Sequence, residues 1–541
     1  MKRNKGMQSR RWLLIVGALA LLLVMAACNA NGTKSNDGSS DVTDENENHE
    51  ATNEKDQYGG VLKIGYSTAG IQALGLSSDI RLIEDMFVSS VALESLGRYE
   101  GTKMVPHLAE KWEADPASQT ITYYLREGIK FHDGTDFNAE AVKWNLENFI
   151  EHRAELDDIS EITVIDEYTL EVKLKTWNQR MLEEIPFYSI SSPTAYQEMG
   201  RDAVLMHPVG TGPFKFVEMS HDEYVKFERF EDYWQEGRPY LDGIEFILFA
   251  DSTTASAAMK AGEIDIYFNV PAIYAHELSQ LENITVQTNE TGLGALMTGL
   301  IYDSANPDSP FANPKVRRAI THAIDRDAIV DALQYGFSFA TTQWGSKTSP
   351  TFNPDLDLEY DPEKARQLLA DAGYPNGFKT NFVIGTDSTN IRFGEIIQAY
   401  LAEVGIEVEL EMIDSGRHQE LTVAAIGEPW DGIIIWSARG DYDVSFFMPR
   451  TFSPQGLTYA HNLQHYEDMQ ELYTLAKTAL TEEEWIEFSR ELQRLAFDEY
   501  AIATPLYIST MPTAIHKHVH DTGINSGHPT RFTPENIWIE K

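Results

Sequence analysis

The chain holds one cysteine in 541 residues, Cys28. No disulfide can brace the fold from within, and the rest of the chain can build neither a Cys-based zinc site nor a Cys nucleophile. A chain of this kind must hold itself together by burying apolar surface. Its composition suits that: 42% hydrophobic and 23% charged residues are ordinary for a globular protein. The length allows three or four domains at roughly 100–200 residues each.

The position of the cysteine says more. Lys2, Arg3, Lys5, Arg10 and Arg11 make a basic start, and an apolar run of 16 residues follows from Trp12 to Ala27. That run is shorter than the about 20 residues a membrane span needs. Its layout is that of a secretory signal peptide, here residues 1–27. Met25-Ala26-Ala27-Cys28 resembles a bacterial lipoprotein box, with Met where Leu is usual. The resemblance implies cleavage before Cys28 and a diacylglycerol on its thiol. Residues 28–58 are polar, with eight acids, two lysines and no aromatic before Tyr58. Such a stretch cannot bury enough apolar surface to fold, and reads as a tether. The expectation is a soluble body starting at Gly59 and lipid-anchored to the outer face of the cell membrane.

The net charge of −41 excludes nucleic acid as a partner, since that needs a basic footprint. It also disfavours adsorption to an anionic bilayer. It reads as adaptation to a salty or alkaline exterior, or as a means of concentrating cations.

Strand-like and helix-like segments alternate along the body, which predicts α/β construction. Val61–Tyr66, Thr120–Leu125 and two runs within 161–175 alternate as strands. Residues 139–150 have helical apolar spacing. Pro314–Tyr335 reads as one helix, with Pro at its start and Gly336 past its end. Residues 362–372, 392–404 and 482–499 read as helices, and 381–384, 406–412, 430–435 and 503–508 as strands. The cadence in 375–436 predicts a parallel-sheet lobe, with a ligand site in the loop after Ile435. Gly210, Gly212 and Pro213 read as turn chemistry feeding a strand.

Several motifs occur in a fixed order: Leu108-Ala109-Glu110-Lys111-Trp112, Leu125-Arg126-Glu127-Gly128-Ile129-Lys130-Phe131-His132-Asp133-Gly134, and Pro208-Val209-Gly210-Thr211-Gly212-Pro213-Phe214. Then come Tyr233-Trp234, Ala261-Gly262-Glu263-Ile264-Asp265, Val316-Arg317-Arg318-Ala319-Ile320, Ala323-Ile324-Asp325-Arg326 and Ala370-Asp371-Ala372-Gly373-Tyr374. By these the body resembles the peptide/nickel family (family 5) of bacterial extracytoplasmic solute-binding proteins, nearest in motif to oligopeptide- and dipeptide-binding lipoproteins. The resemblance implies a two-lobed periplasmic-binding-protein-like type II fold with an extra small domain. It places lobe I at 59–97, 208–310 and 516–541, the extra domain at 98–207 and lobe II at 311–515. It further implies a monomer that closes on its ligand by hinge motion and is then recognised by ABC permease subunits in the membrane.

The resemblance also nominates site residues. In peptide-binding relatives an Asp after a lobe II strand pairs with the peptide ammonium, and Asp441 fits that position. A desolvated ammonium needs such a carboxylate. The relatives have Pro a few residues on, where this chain has Val444-Ser445. Trp436, Tyr442, Trp344 and Tyr66 are candidate cleft walls, with core packing as the alternative. Arg439 suits a ligand carboxylate, or equally Asp441 or Asp443. The stretch Ile185–Ser189, where nickel-binding relatives carry a basic contact, has no Arg. No cofactor is implied.

His516, His518 and His520 alternate along a predicted strand, so they are the only candidates for a metal, against the simpler reading of a solvated face. No Gly-x-Ser-x-Gly elbow, His-Glu-x-x-His or Cys nucleophile occurs, so the chain reads as a binding protein and not an enzyme. The expected cargo is a di- or oligopeptide. The alternatives are a metal chelate, an oligosaccharide or another small solute in the same role, or a protein partner on an exposed apolar patch.

Overall fold

The alternation that opens the body becomes the middle of a seven-stranded sheet. In Val61–Ser67, Leu62 and Ile64 are buried while Val61 and Lys63 face solvent. The strand lies between Gly243–Phe249 and Ile266–Tyr267 and is parallel to both. On one flank, Tyr224–Arg229 and Phe214–Ser220 extend the sheet as antiparallel strands. On the other, Thr513–His516 returns from near the C-terminus and pairs antiparallel with both Ile266–Tyr267 and Ile284–Gln287. The computed structural model describes residues 57–67, 70–153, 155–289, 291–345, 347–356, 358–423, 427–440, 444 and 448–541. All of these fall in one contact unit, Thr52–Lys541. Cys28, the leader and almost all of the tether lie outside the described residues.

A second sheet of six strands runs in the order Ser338–Ala340, Ala503–Ser509, Ala295–Tyr302, Ile433–Gly440, Phe378–Gly385, Ile406–Ile413. The segment from 378 to 413 is a strand–helix–strand unit, with the helix Ser388–Glu403 crossing between parallel strands. Phe378–Gly385 is also parallel to Ile433–Gly440. Ala295–Tyr302 belongs to this second sheet, so sheet membership passes from the first sheet to the second before Ala295, whereas the sequence places that passage after residue 310.

The third unit is a four-stranded antiparallel sheet, Ala109–Asp115, Thr120–Leu125, Thr169–Leu174 and Ile159–Asp166. The helix Ala139–His152 is capped by Asn138, whose side chain accepts from Ala141 N. Its face of Val142, Leu146 and Phe149 packs into a core shared with Ile121, Tyr123, Leu170 and Val172. Among the described residues no helix is long and apolar enough to cross a membrane.

Three elements differ from the sequence reading. Pro314–Tyr335 is two helices, Pro314–Ala323 and Arg326–Gln334. Ile324 is extended, and the Asp325 side chain accepts from Ala328 N, so a cap starts a new helix where apolar spacing alone runs through. The strand expected over 430–435 runs instead over Ile433–Gly440, because Gly432 at φ +91° turns the chain before it. The helix at 482–499 changes to a π-helical turn after Gln493.

The ordered motifs are mostly structural. Arg317 is fully buried, and its guanidinium donates to the carbonyls of Phe311, Tyr500 and Ala501. Arg326 donates to the carbonyls of Pro505 and Thr321. Gly210 and Gly212 serve close approach: a Cβ would come within 2.2 Å of Ala92 O at the first and 2.6 Å of Val91 O at the second. His132 Nε2 lies 2.9 Å from Gly212 O, and burial lowers its pKa to about 4.

Two of these motifs, Pro208–Phe214 and Tyr233-Trp234, meet at Glu94, which is 7% exposed. Its carboxylate accepts from Thr211 Oγ1 (2.7 Å), Tyr233 OH (2.8 Å) and Trp234 Nε1 (3.1 Å), and His107 Nε2 lies 3.0 Å away. Burial pushes the Glu94 pKa up, but His107's charge, its hydrogen bond and those of Thr211 and Tyr233 outweigh burial and hold it below the ordinary value.

Candidate functional site

A cavity of about 890 Å³ lies between the four-stranded unit, the second sheet and the segments 77–104 and 528–531. That volume falls in the range of small-molecule sites. The four-stranded unit and its helices supply Trp112, Arg153, Arg180, Phe187 and Tyr188. The second sheet supplies Ser437 and Ala438 from the end of its strand Ile433–Gly440, and neighbouring segments supply Thr422, Tyr459 and Trp485. The C-terminal segment supplies His528 and Arg531.

Charge in the cavity runs against the chain as a whole. The chain has 84 acids and 43 Lys plus Arg. The cavity wall has six basic residues, Arg81, Lys103, Arg153, Arg180, Arg450 and Arg531, and four acids, Glu155, Glu183, Glu184 and Glu482. Two of the arginines are held by acids. Arg153 forks onto Glu155. Arg180 Nε donates to Glu184 Oε1 at 3.0 Å, and Tyr188 OH donates to Glu184 Oε2 at 2.7 Å. Burial, and then the Glu184 charge, push the Tyr188 hydroxyl well above its ordinary pKa, so it stays a donor.

Arg531 is different. The residue keeps some exposure, but its Nε and Nη1 are shut off from solvent and have no hydrogen-bond partner among the described residues. Its Cζ lies 5.2 Å from the centroid of the Phe187 ring, and Phe187 in turn packs 5.0 Å from the His528 imidazole. Burial lowers its pKa to about 10, which leaves it cationic at neutral pH. A cation over a ring gains about 0.5–2 kcal/mol. Burying an ion costs several kcal/mol, so the ring alone does not compensate the guanidinium. His528 is fixed from its other side, with Nδ1 2.8 Å from Thr530 Oγ1.

The structure places the sequence-nominated residues as follows. Tyr66, Trp344 and Trp436 are core residues, at 1%, 0% and 0% exposure, and none lines the cavity. Trp344 packs 5.5 Å from Trp436, which packs 5.6 Å from Phe452, and the Trp344 backbone is clasped by the Gln493 side chain at 3.0 and 2.7 Å. Tyr66 packs edge-on to Phe246. Large apolar faces suit a core as well as a cleft, and here the core takes them. Arg439 sits in the strand Ile433–Gly440, paired with Leu296; its side chain, Asp441, Tyr442 and Asp443 lie outside the described residues.

The three histidines do not share a strand. Thr513–His516 ends in the first sheet, and Val519–His520 starts a separate ribbon with Trp538–Ile539. His516 Nε2 lies 3.0 Å from Met259 O, His518 Nε2 2.9 Å from Asp265 Oδ1, and His520 stacks on Trp538. Each ring has its own neighbour, and among the described residues no group of three His, Cys, Asp or Glu could hold a metal ion.

Sequence reasoning missed Arg531, Arg153, Arg180, Tyr188 and His528. A faint signal for the first was present: Arg531 is the one Lys, Arg, Asp or Glu between Thr522 and Pro534.

Comparison with known proteins agrees with the fold. The family model described as "Bacterial extracellular solute-binding proteins, family 5 Middle" matches residues 103–469. The glutathione-binding protein GsiB of Shigella flexneri is 34% identical over 345 residues, covering 61% of this chain and 66% of GsiB. The match therefore spans just under two thirds of that relative's length. The periplasmic binding protein DppA of Helicobacter pylori, in complex with the peptide STSA, superposes with a TM-score of 0.71 at 24% identity, over 90% of this chain and 99% of DppA. NikA of Brucella suis, in complex with Fe(III)-EDTA, gives 0.75 at 22% identity, over 88% and 99%. The last two establish the periplasmic-binding-protein type II fold. Such homologues are substrate-binding transport proteins and not enzymes, and the chain belongs to the family 5 bacterial extracellular solute-binding proteins.

Proposed function

We propose that this chain is the substrate-binding lipoprotein of an ABC importer, and that its cargo is a small peptide. The observation that carries the reading is the cavity of about 890 Å³ between the sheet units. It combines a strand end, exposed at Ser437 and buried at Ala438, with aromatic walls and ionic groups of both signs. A zwitterionic chain with a backbone to hydrogen-bond is complementary to that surface. The glutathione named for GsiB and the peptide STSA named for DppA are of the same chemical class.

In this reading the first and second sheets anchor two lobes, and the four-stranded unit is the extra domain. Asp441, just past the strand that reaches the cavity, receives the peptide ammonium. The lobes close over the ligand, and the closed monomer is what the permease recognises. Cys28 carries the lipid, and residues 29–58 give the body its reach from the membrane.

The test is calorimetric titration of protein refolded free of carried-over ligand. Di- to pentapeptides are compared with Ni²⁺ plus histidine, in the wild type and in Asp441→Asn. Binding that requires a free peptide amine and weakens at least about tenfold in the variant supports the reading; a lost charge-assisted bond of 1.4 kcal/mol or more has that effect. Silence toward every peptide, with binding of the metal–histidine complex or of a sugar, overturns the cargo.

A further inference from the structure

The four-stranded unit is held to its two neighbours in different ways. Toward the first sheet, the Glu94 carboxylate closes the junction, with His107, Thr211, Tyr233 and Trp234 all directed at it. Toward the second-sheet lobe the contact is smaller. The residues just past its strand Thr169–Leu174 meet the corner between the helices Glu467–Lys477 and Glu482–Gln493. Trp177 Nε1 donates to Ala479 O at 2.9 Å, and Gln179 N donates to Lys477 O at 3.0 Å. Lys477 Nζ lies 2.8 Å from Asp158 Oδ2, with both side chains partly exposed, and Asn178 Nδ2 holds the same oxygen at 2.6 Å. Trp177 is 3% exposed and belongs to the apolar core of its own unit, so its N–H is a fixed donor.

This contact sits at the rim of the cavity. Gln179 lines the cavity from one side of it, and Glu482, just past Ala479, from the other. Two neutral hydrogen bonds and one partly exposed ion pair are individually weak. Parting the unit from the first sheet would instead strip a buried carboxylate of its partners. A motion that separates the lobes therefore breaks the contact at 177–179 and 477–479, and the four-stranded unit travels with the first sheet.

We infer that Asp158, Trp177 and Lys477 are positioning residues that form a latch: they hold the cavity shut, and the lobes part by releasing them. None of the three lines the cavity, so they act without touching a ligand. The latch rests on the lobe motion of the proposed function and not on the peptide cargo.

The experiment is small-angle X-ray scattering of the chain, refolded free of carried-over ligand, on a Cys28→Ser background that removes the one native thiol. Asp158→Cys with Lys477→Cys, joined by a short bis-maleimide, keeps the contact closed and gives the reference radius of gyration. Lys477→Glu sets two carboxylates against each other and is expected to raise the radius above that reference, with unchanged far-UV circular dichroism. Asp158→Asn, from the other side of the contact, should raise it less, and Lys477→Arg should leave it at the wild-type value. If Lys477→Glu scatters as the cross-linked form does, the contact is a permanent brace and the inference is overturned. Equal expansion in Lys477→Arg and Lys477→Glu overturns it too, because the ion pair then has no part in closure. No ligand is used, so failure of the peptide reading leaves the result as it stands.

Discussion

Two buried charges set the terms of this molecule. Glu94, where the four-stranded unit meets the first sheet, has four side chains directed at its carboxylate. Arg531, in the cavity wall, has none among the described residues. Both are penalised by burial, but only Glu94 is compensated by hydrogen bonds from the fold. A saturated buried charge fixes how elements pack, and an unsaturated one facing a cavity is complementary to something that arrives later. The contrast is a physical means of separating residues that build this protein from residues that bind for it.

The comparison breaks first at Glu94. Glu94→Ala removes the acceptor and leaves His107, Thr211, Tyr233 and Trp234 facing a void. A loss of about 3–5 kcal/mol is expected, seen as a large fall in the denaturation midpoint. Its pH dependence has a definite sign. The folded-state pKa lies below the ordinary value of 4.5, so the contribution is present above pH 4.5 and disappears as pH falls through the folded value. The stability gap between wild type and Glu94→Gln should therefore narrow on acidification; a gap that widens instead contradicts the network.

Asp85 sharpens the comparison, because it is an intermediate case. It is 1% exposed, and Oδ2 accepts from the backbone N–H groups of Gln72 and Ala73 at 3.1 Å each, but Oδ1 has no partner among the described residues. Burial, opposed by those two bonds, raises its pKa to about 6 from 3.8. The sign is then opposite to that of Glu94: its favourable contribution is full below pH 3.8 and is lost as pH rises through about 6. Asp85→Asn should stabilise the protein at pH 8, by about 1–3 kcal/mol, and make little difference at pH 4. Equal effects at both pH values would show that the carboxylate does not titrate in this range.

The fold was legible in the sequence and the site only at its margin, for a reason these residues make plain. Val61–Ser67 is specified by local alternation at its start, and Phe378–Gly385 by the apolar run Phe382-Val383-Ile384. The ordered motifs prove to be packing devices, as Arg317, Arg326, Gly210 and Gly212 show. The helix break at Ile324 was missed because a cap at Asp325 is a single side chain inside an unbroken apolar period. Tyr66, Trp344 and Trp436 were nominated for the cleft because an aromatic's size says that it is buried and not against what. Arg531 comes from a loop near the C-terminus and meets Phe187 only through the tertiary fold, so no local pattern announces it.

The most direct measurement of the central contrast is thermal unfolding of the ligand-free protein, comparing Arg531→Met with Glu94→Ala. If Arg531 is an uncompensated cation, Arg531→Met melts at or above the wild type, by about 1 kcal/mol of added stability, while Glu94→Ala melts far below it. If Arg531→Met is destabilised as Glu94→Ala is, then Arg531 is part of the scaffold and the distinction drawn between the two charges is wrong.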